Sequence, residues 1–153
     1  MATEAEKRAA LRAQHAAERK ALSSRQKTER AALSAQWADR ITQRRAAYAA
    51  KRTQNNTEAK AAMERLIQSQ KQEIVEEQKK PRNYVSDLRK EHTRNRAMLR
   101  GIWKQHRADA AADYKQDVAN LRGQAKTAKT QLKIRQEADR VSLRARQKTA
   151  LGA

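Results

Sequence analysis

The sequence predicts an all-α protein, an extended two-helix coiled coil, and three observations carry that prediction. Nine of the ten leucines fall at multiples of eleven: Leu11, Leu22, Leu33, Leu66, Leu88, Leu99, Leu121, Leu132 and Leu143, with only Leu151 off the series. Eleven residues make three helical turns at about 3.67 residues per turn, close to the natural 3.6, so each such leucine returns to the same face. Alternating sheet patterns are absent, and the chain holds three glycines and one proline in 153 residues. Charged residues make up 35% and hydrophobic residues 38%, the latter largely alanine. That is the profile of a long helix or coil. With no phenylalanine and only two tryptophans and three tyrosines, the chain lacks the large side chains of a compact core. It reads as one elongated unit over 1–153 with a narrow seam.

Helix one is expected over about 4–79, a turn over about 80–85, and helix two over about 86–150. Four residues beyond the leucine line runs a second line: His15, Gln26, Trp37, Tyr48, Ala59, Gln70, Pro81, His92, Trp103, Tyr114, Ala125, Gln136 and Gln147. Eight residues beyond runs a third: Ile41, Arg52, Met63, Ile74, Val85, Arg96, Arg107 and Val118. Steps of 4, 4 and 3 trace one stripe down a helix. A longer duplication lies on top. Leu33, Trp37, Tyr48, Ala59, Leu66 and Gln70 recur 66 residues later as Leu99, Trp103, Tyr114, Ala125, Leu132 and Gln136.

Pro81 is the one strong breaker. A proline inside a helix loses a backbone hydrogen bond and clashes with the preceding turn, at a cost of about 3 kcal/mol. Gly101 and Gly123 only soften helix two. Folding the chain back between Arg82 and Asn83 sets Leu22 against Leu143, Leu33 against Leu132 and Leu66 against Leu99. Arg44 then meets Leu121, Asn55 meets Ala110, Trp37 meets Ala128 and Trp103 meets Ala62. A parallel dimer would stack Arg44 on Arg44 and Glu77 on Glu77, which is unfavourable in a seam. The antiparallel hairpin is the preferred reading. The alternative is one long kinked helix in an oligomeric coil, because the stripe crosses Pro81 without a phase slip.

The net charge is +19 and the isoelectric point about 11.0. A polyanion is the partner such a balance suggests, nucleic acid first and an anionic membrane surface second. Acidic residues are missing from long stretches. Arg40, Arg44, Arg45, Lys51 and Arg52 lie between Asp39 and Glu58. Arg94, Arg96, Arg100, Lys104 and Arg107 lie between Glu91 and Asp109. Arg122, Lys126, Lys129 and Lys133, with Arg135, lie between Asp117 and Glu137; Arg140, Arg144, Arg146 and Lys148 follow Asp139. Such surfaces bind a phosphate backbone by releasing counterions. They equally serve as a solvated face that keeps a rod soluble. Trp37, Tyr48, Trp103 and Tyr114 sit beside these runs and can stack on bases, but their place next to the leucine line assigns them to the seam.

No cysteine is present, so disulfide and thiol chemistry are excluded. His15, His92 and His106 share no metal-ligand spacing. No phosphate-binding glycine loop, nucleophile elbow or metalloprotease motif occurs. Glu73, Glu76 and Glu77 are expected on a helix surface without a pocket. The chain therefore reads as non-enzymatic, with no cofactor, no metal and no small-molecule substrate. No apolar run spans a bilayer and residues 1–10 lack the apolar core of a secretion signal, so a cytoplasmic protein is expected. No base-reading element is recognisable, so binding is expected to be general and backbone-directed.

The run from Arg8-Ala9-Ala10-Leu11 through His15, Glu18-Arg19, Leu22, Gln26, Glu29-Arg30 and Leu33 to Trp37 resembles the Ala/Arg-rich helical C-terminal tails of plasmid conjugative (mobilisation) relaxases. The resemblance covers about residues 4–60 and again 88–148. It implies a DNA-handling or partner-binding extension: a detached tail or small accessory protein of plasmid DNA transfer. The histidine cluster and nucleophilic tyrosine of the relaxase nuclease have no counterpart here, so no relaxase activity is implied. The expected function is sequence-nonspecific nucleic-acid binding through the basic helix faces. The rival expectation is a structural scaffold of a phage or mobile-element assembly, with a protein partner or a homo-oligomer.

Overall fold

The computed structural model describes residues 1–152. They form two α-helices, α1 (Glu4–Gln78) and α2 (Val85–Ala150), and no strand is present among them. Each helix end has a local cause. At the start of α1 the Thr3 main-chain N–H donates to Glu6 Oε2 at 2.6 Å and the Glu6 N–H donates to Thr3 Oγ1 at 3.2 Å. This reciprocal capping box satisfies donors that have no partner inside the helix. At its end the Lys79 and Lys80 N–H groups bond back only three residues, to Glu76 and Glu77. Pro81 follows and cannot continue the ladder. α2 stops at Gly152, whose φ of 74° is the left-handed conformation that favours glycine just past a helix end. Gly101 and Gly123 meet nothing within 4 Å of an added Cβ, and α2 runs through both unbroken.

The connection is held by one carboxylate. Glu77 Oε1 accepts from the Tyr84 N–H at 3.0 Å and Oε2 accepts from Lys80 Nζ at 2.7 Å. Tyr84 is in turn the first acceptor of α2, taking the Leu88 N–H at 3.0 Å. Glu77 therefore ties the last turn of α1 to the first of α2. Its carboxyl is held below the ordinary carboxylate range, first by the Lys80 hydrogen bond and then by the Tyr84 N–H.

The chain divides into two compact units, Met1–Ile41 with Ala119–Ala153, and Thr42–Val118. In the first, α1 and α2 pack antiparallel: His15 meets Gln147 and Gln26 meets Gln136. In the second they do so again, with Tyr48 stacked on Tyr114 and Gln70 bonded to His92.

The seam differs from the one expected. Of the leucine line Leu132 and Leu143 are buried, with Val118 and Ala125 beside them in the apolar core, whereas Leu11, Leu22, Leu33, Leu66, Leu88, Leu99 and Leu121 are only half-buried. The polar members of the second line lie deeper, while its Trp37, Tyr48, Ala59, Trp103 and Tyr114 are half-buried. His15, Gln26, Gln70, His92, Gln136 and Gln147 are buried, and Gln26 is 0% exposed. The register moves accordingly. Trp37 shares a groove with Ala125, whereas Ala128 lines another with Leu33 and Leu132. The physical reason is reach. A glutamine amide crosses the interface and bonds the opposite main chain, which centres the glutamines and leaves most of the leucines beside them as flanks. Leu22 and Leu143 still line one groove, as do Leu33 and Leu132.

Candidate functional site

Two kinds of feature stand out: polar nodes inside the seam and a basic groove on its surface. In the first unit, Gln26 Nε2 donates to the Gln136 carbonyl and Gln136 Nε2 to the Gln26 carbonyl, each at 2.9 Å. Arg140 Nε donates to Gln26 Oε1 at 2.8 Å, and Gln136 Nε2 also reaches Glu29 Oε2 at 3.1 Å. In the second unit, Gln70 Nε2 donates to the His92 carbonyl at 3.2 Å, Arg96 Nε to Gln70 Oε1 at 2.6 Å, and His92 Nε2 meets Glu73 Oε2 at 2.6 Å. The two nodes share one pattern: a glutamine with a glutamate three residues on, facing a glutamine or histidine with an arginine four residues on. A third node has Gln147 Nε2 donating to the His15 carbonyl and to Glu18 Oε2. No arginine stands four residues after Gln147, where the chain has Leu151. The Glu18 carboxyl lies below the ordinary range, first through the Gln147 hydrogen bond. Such networks are strong where satisfied and costly where broken.

Partners within the protein decide which cations are available. Arg96 is half-buried in its node. Arg44 Nη1 lies 3.5 Å from Asp117, in a groove that Lys51 shares with Asp109 and Asp113. Arg40 stacks over the Trp37 ring at 4.6 Å. Arg45, Arg52, Arg94, Arg100, Lys104 and Arg107 are exposed along the helices and line neither the Lys51 groove nor the Trp37 groove. The fourteen residues read from the sequence are therefore not equivalent.

One set does converge. Arg122, Lys126, Lys129 and Lys133 are spaced by four, three and four residues, so α2 carries them as one stripe. They line an open groove of about 550 Å³ together with Ser34, Trp37, Ala38 and Ile41 of α1. No carboxylate lines it. Trp37 is half-buried and its Nε1 has no hydrogen-bond partner among the described residues. Four amines and guanidinium groups in one trough, with an aromatic floor and no internal counter-charge, attract an extended anion. By contrast, the Lys51 groove carries three aspartates spaced four apart, which balance its cations.

Sequence reasoning missed the nodes. The glutamines and histidines were visible every eleven residues on the second line of the stripe, but spacing alone did not show that their side chains reach the opposite main chain. Their signal was the recurrence of Gln-x-x-Glu at Gln26-Glu29 and Gln70-Glu73, matched by His15-Glu18. Among the described residues no group of side chains is arranged to hold a metal ion, and no helix is long and apolar enough to cross a membrane. Comparison with protein-family models, with curated proteins and with solved structures returned no match.

Proposed function

We propose that this chain binds nucleic acid without sequence preference, as a non-enzymatic helical protein whose main contact surface is the α2 stripe Arg122, Lys126, Lys129 and Lys133. The observation that supports this reading is that the stripe lines a groove free of carboxylates, in a chain carrying +19. Arg45, Arg52, Arg94, Arg100, Lys104 and Arg107 add exposed charge that draws the polyanion in. Arg96 is engaged in its node and Arg44 is paired at the surface with Asp117, so both contribute less. The contacts are to phosphate, since nothing here enters a groove to read base edges.

The test is a titration of fluorescent duplex and single-stranded oligonucleotides at several salt concentrations. The expected result is binding at low salt that weakens steeply as salt rises, with little dependence on sequence. Absence of binding to either form at low salt would overturn this reading and favour a scaffold that docks protein. That second reading draws support from exposed apolar side chains on α2, Met98 and Ile102 in one unit and Ile134 and Val141 in the other.

A further inference from the structure

The register of the helix pair has an unusual centre. Gln70 and His92 are 22 residues apart, Gln26 and Gln136 are 110 apart, and His15 and Gln147 are 132 apart. Each interval is a whole multiple of eleven, and each is centred on position 81. Tyr48 and Tyr114, stacked with ring centroids 4.4 Å apart and planes 9° apart, obey the same rule. Position 81 itself falls on the second line, and it is the exposed proline of the connection. The leucine line crosses the connection in phase as well, from Leu66 through Glu77 to Leu88. A loop has no need to keep helical phase. A helix that continues through it does.

From this we infer that a second copy of this chain is a partner for the seam, taken up by exchange of helices about Pro81. In the exchanged form α1 of each chain packs against α2 of the other, in the register seen within one chain. Every node re-forms: Gln26 with Gln136 of the second copy, Gln70 with its His92, Tyr48 with its Tyr114. Residues 79–84 become a kinked continuation of helix, with Pro81 facing Pro81 of the second copy and Glu77 facing its Val85. No new surface is needed, which is why the partner is a copy and not an unrelated protein. The hairpin is kept closed by the proline and by the exposed contacts of Glu77 with Lys80 and Tyr84. Closure also has the advantage of an effective concentration on the order of millimolar, so exchange grows as the chain is concentrated. This inference goes beyond the nucleic-acid reading and does not depend on it.

The experiment uses the whole chain and its Pro81→Ala variant, each unfolded and refolded over a range of concentrations and then sized by sedimentation. Alanine restores the missing N–H and favours an unbroken helix. The expected result is a dimer fraction that rises with refolding concentration in the parent, and a dimer dissociation constant at least about tenfold lower in Pro81→Ala. Exchange is told from side-by-side association by mixing chains labelled at Ser23→Cys with chains labelled at Arg144→Cys. These exposed positions line one groove within the hairpin, so exchange gives a short distance between labels on different chains. A Pro81→Ala chain that stays monomeric at every concentration overturns the inference. So do dimers that lack the short interchain distance.

Discussion

Gln26 and Gln136 each donate a side-chain amide proton to the other's main-chain carbonyl, at 2.9 Å in both directions. The two residues are wholly or almost wholly buried, and Arg140 completes the oxygen of Gln26. A hydrogen bond of this kind contributes roughly 0.5–1.5 kcal/mol net, while a buried group left without its partner costs about 1–3 kcal/mol. The single variant Gln26→Leu therefore loses about 1–3 kcal/mol in urea unfolding. The double variant Gln26→Leu/Gln136→Leu loses close to the sum of the two singles, because each amide bonds the other residue's main-chain carbonyl, which the partner's substitution leaves in place. A double variant markedly more stable than that sum would show that the two side chains are coupled.

Glu77 fixes the turn by its charge as well as by its reach. Its folded pKa is lowered, so its stabilising effect is present above the ordinary carboxylate value and is lost as pH falls through the folded value. Glu77→Gln keeps an acceptor for the Tyr84 N–H and removes the charge that holds Lys80. The variant melts below the parent at neutral pH, and the gap closes once pH drops under the usual carboxylate range of about 4. A gap unchanged by acid would assign the effect to side-chain shape.

The all-α class and the two helices were legible because their causes are local. Leucine spacing gives the period, alanine and charged residues give the propensity, and a single proline gives the break. What was not legible was the depth order within the stripe. Hydrophobicity places Leu22 and Leu33 inside and Gln26 outside, whereas Gln26 is the buried one. The reversal depends on a carbonyl of the opposite helix lying within reach, and that is a property of the pair. The same limit applies to the cations. Arg96 and Lys126 look alike in a charge count, but only one of them has Gln70 Oε1 at 2.6 Å. The acid-free stretch from Arg122 to Lys133 was legible, and its convergence on Trp37 was not.

That difference between cations is measurable in two separate quantities. Lys126→Gln/Lys129→Gln leaves the melting temperature close to the parent's, since both side chains are exposed, and flattens the salt dependence of duplex binding. Each lost phosphate contact lowers the slope of log affinity against log salt by about 0.9. Arg96→Gln does the reverse: it destabilises the chain through the orphaned Gln70 oxygen and hardly moves the slope. Equal slope changes for both variants would mean that exposure and groove lining do not select the contact residues.

The two tryptophans report on different units. Trp37 shares its groove with Arg122, Lys126, Lys129 and Lys133, and carries Arg40 on its ring. Trp103 lies in the other unit, edge-on to His106 at 5.0 Å. A polyanion seated on the α2 stripe draws Arg40 and the lysines toward phosphate and changes the field at the Trp37 indole, while Trp103 keeps its surroundings. In a Trp103→Phe chain the remaining emission therefore shifts or quenches on adding DNA, with a midpoint matching the binding curve. In a Trp37→Phe chain the emission stays nearly constant over the same titration. A response confined to Trp103 would move the contact surface to the second unit, where Arg94, Arg100, Lys104 and Arg107 are exposed.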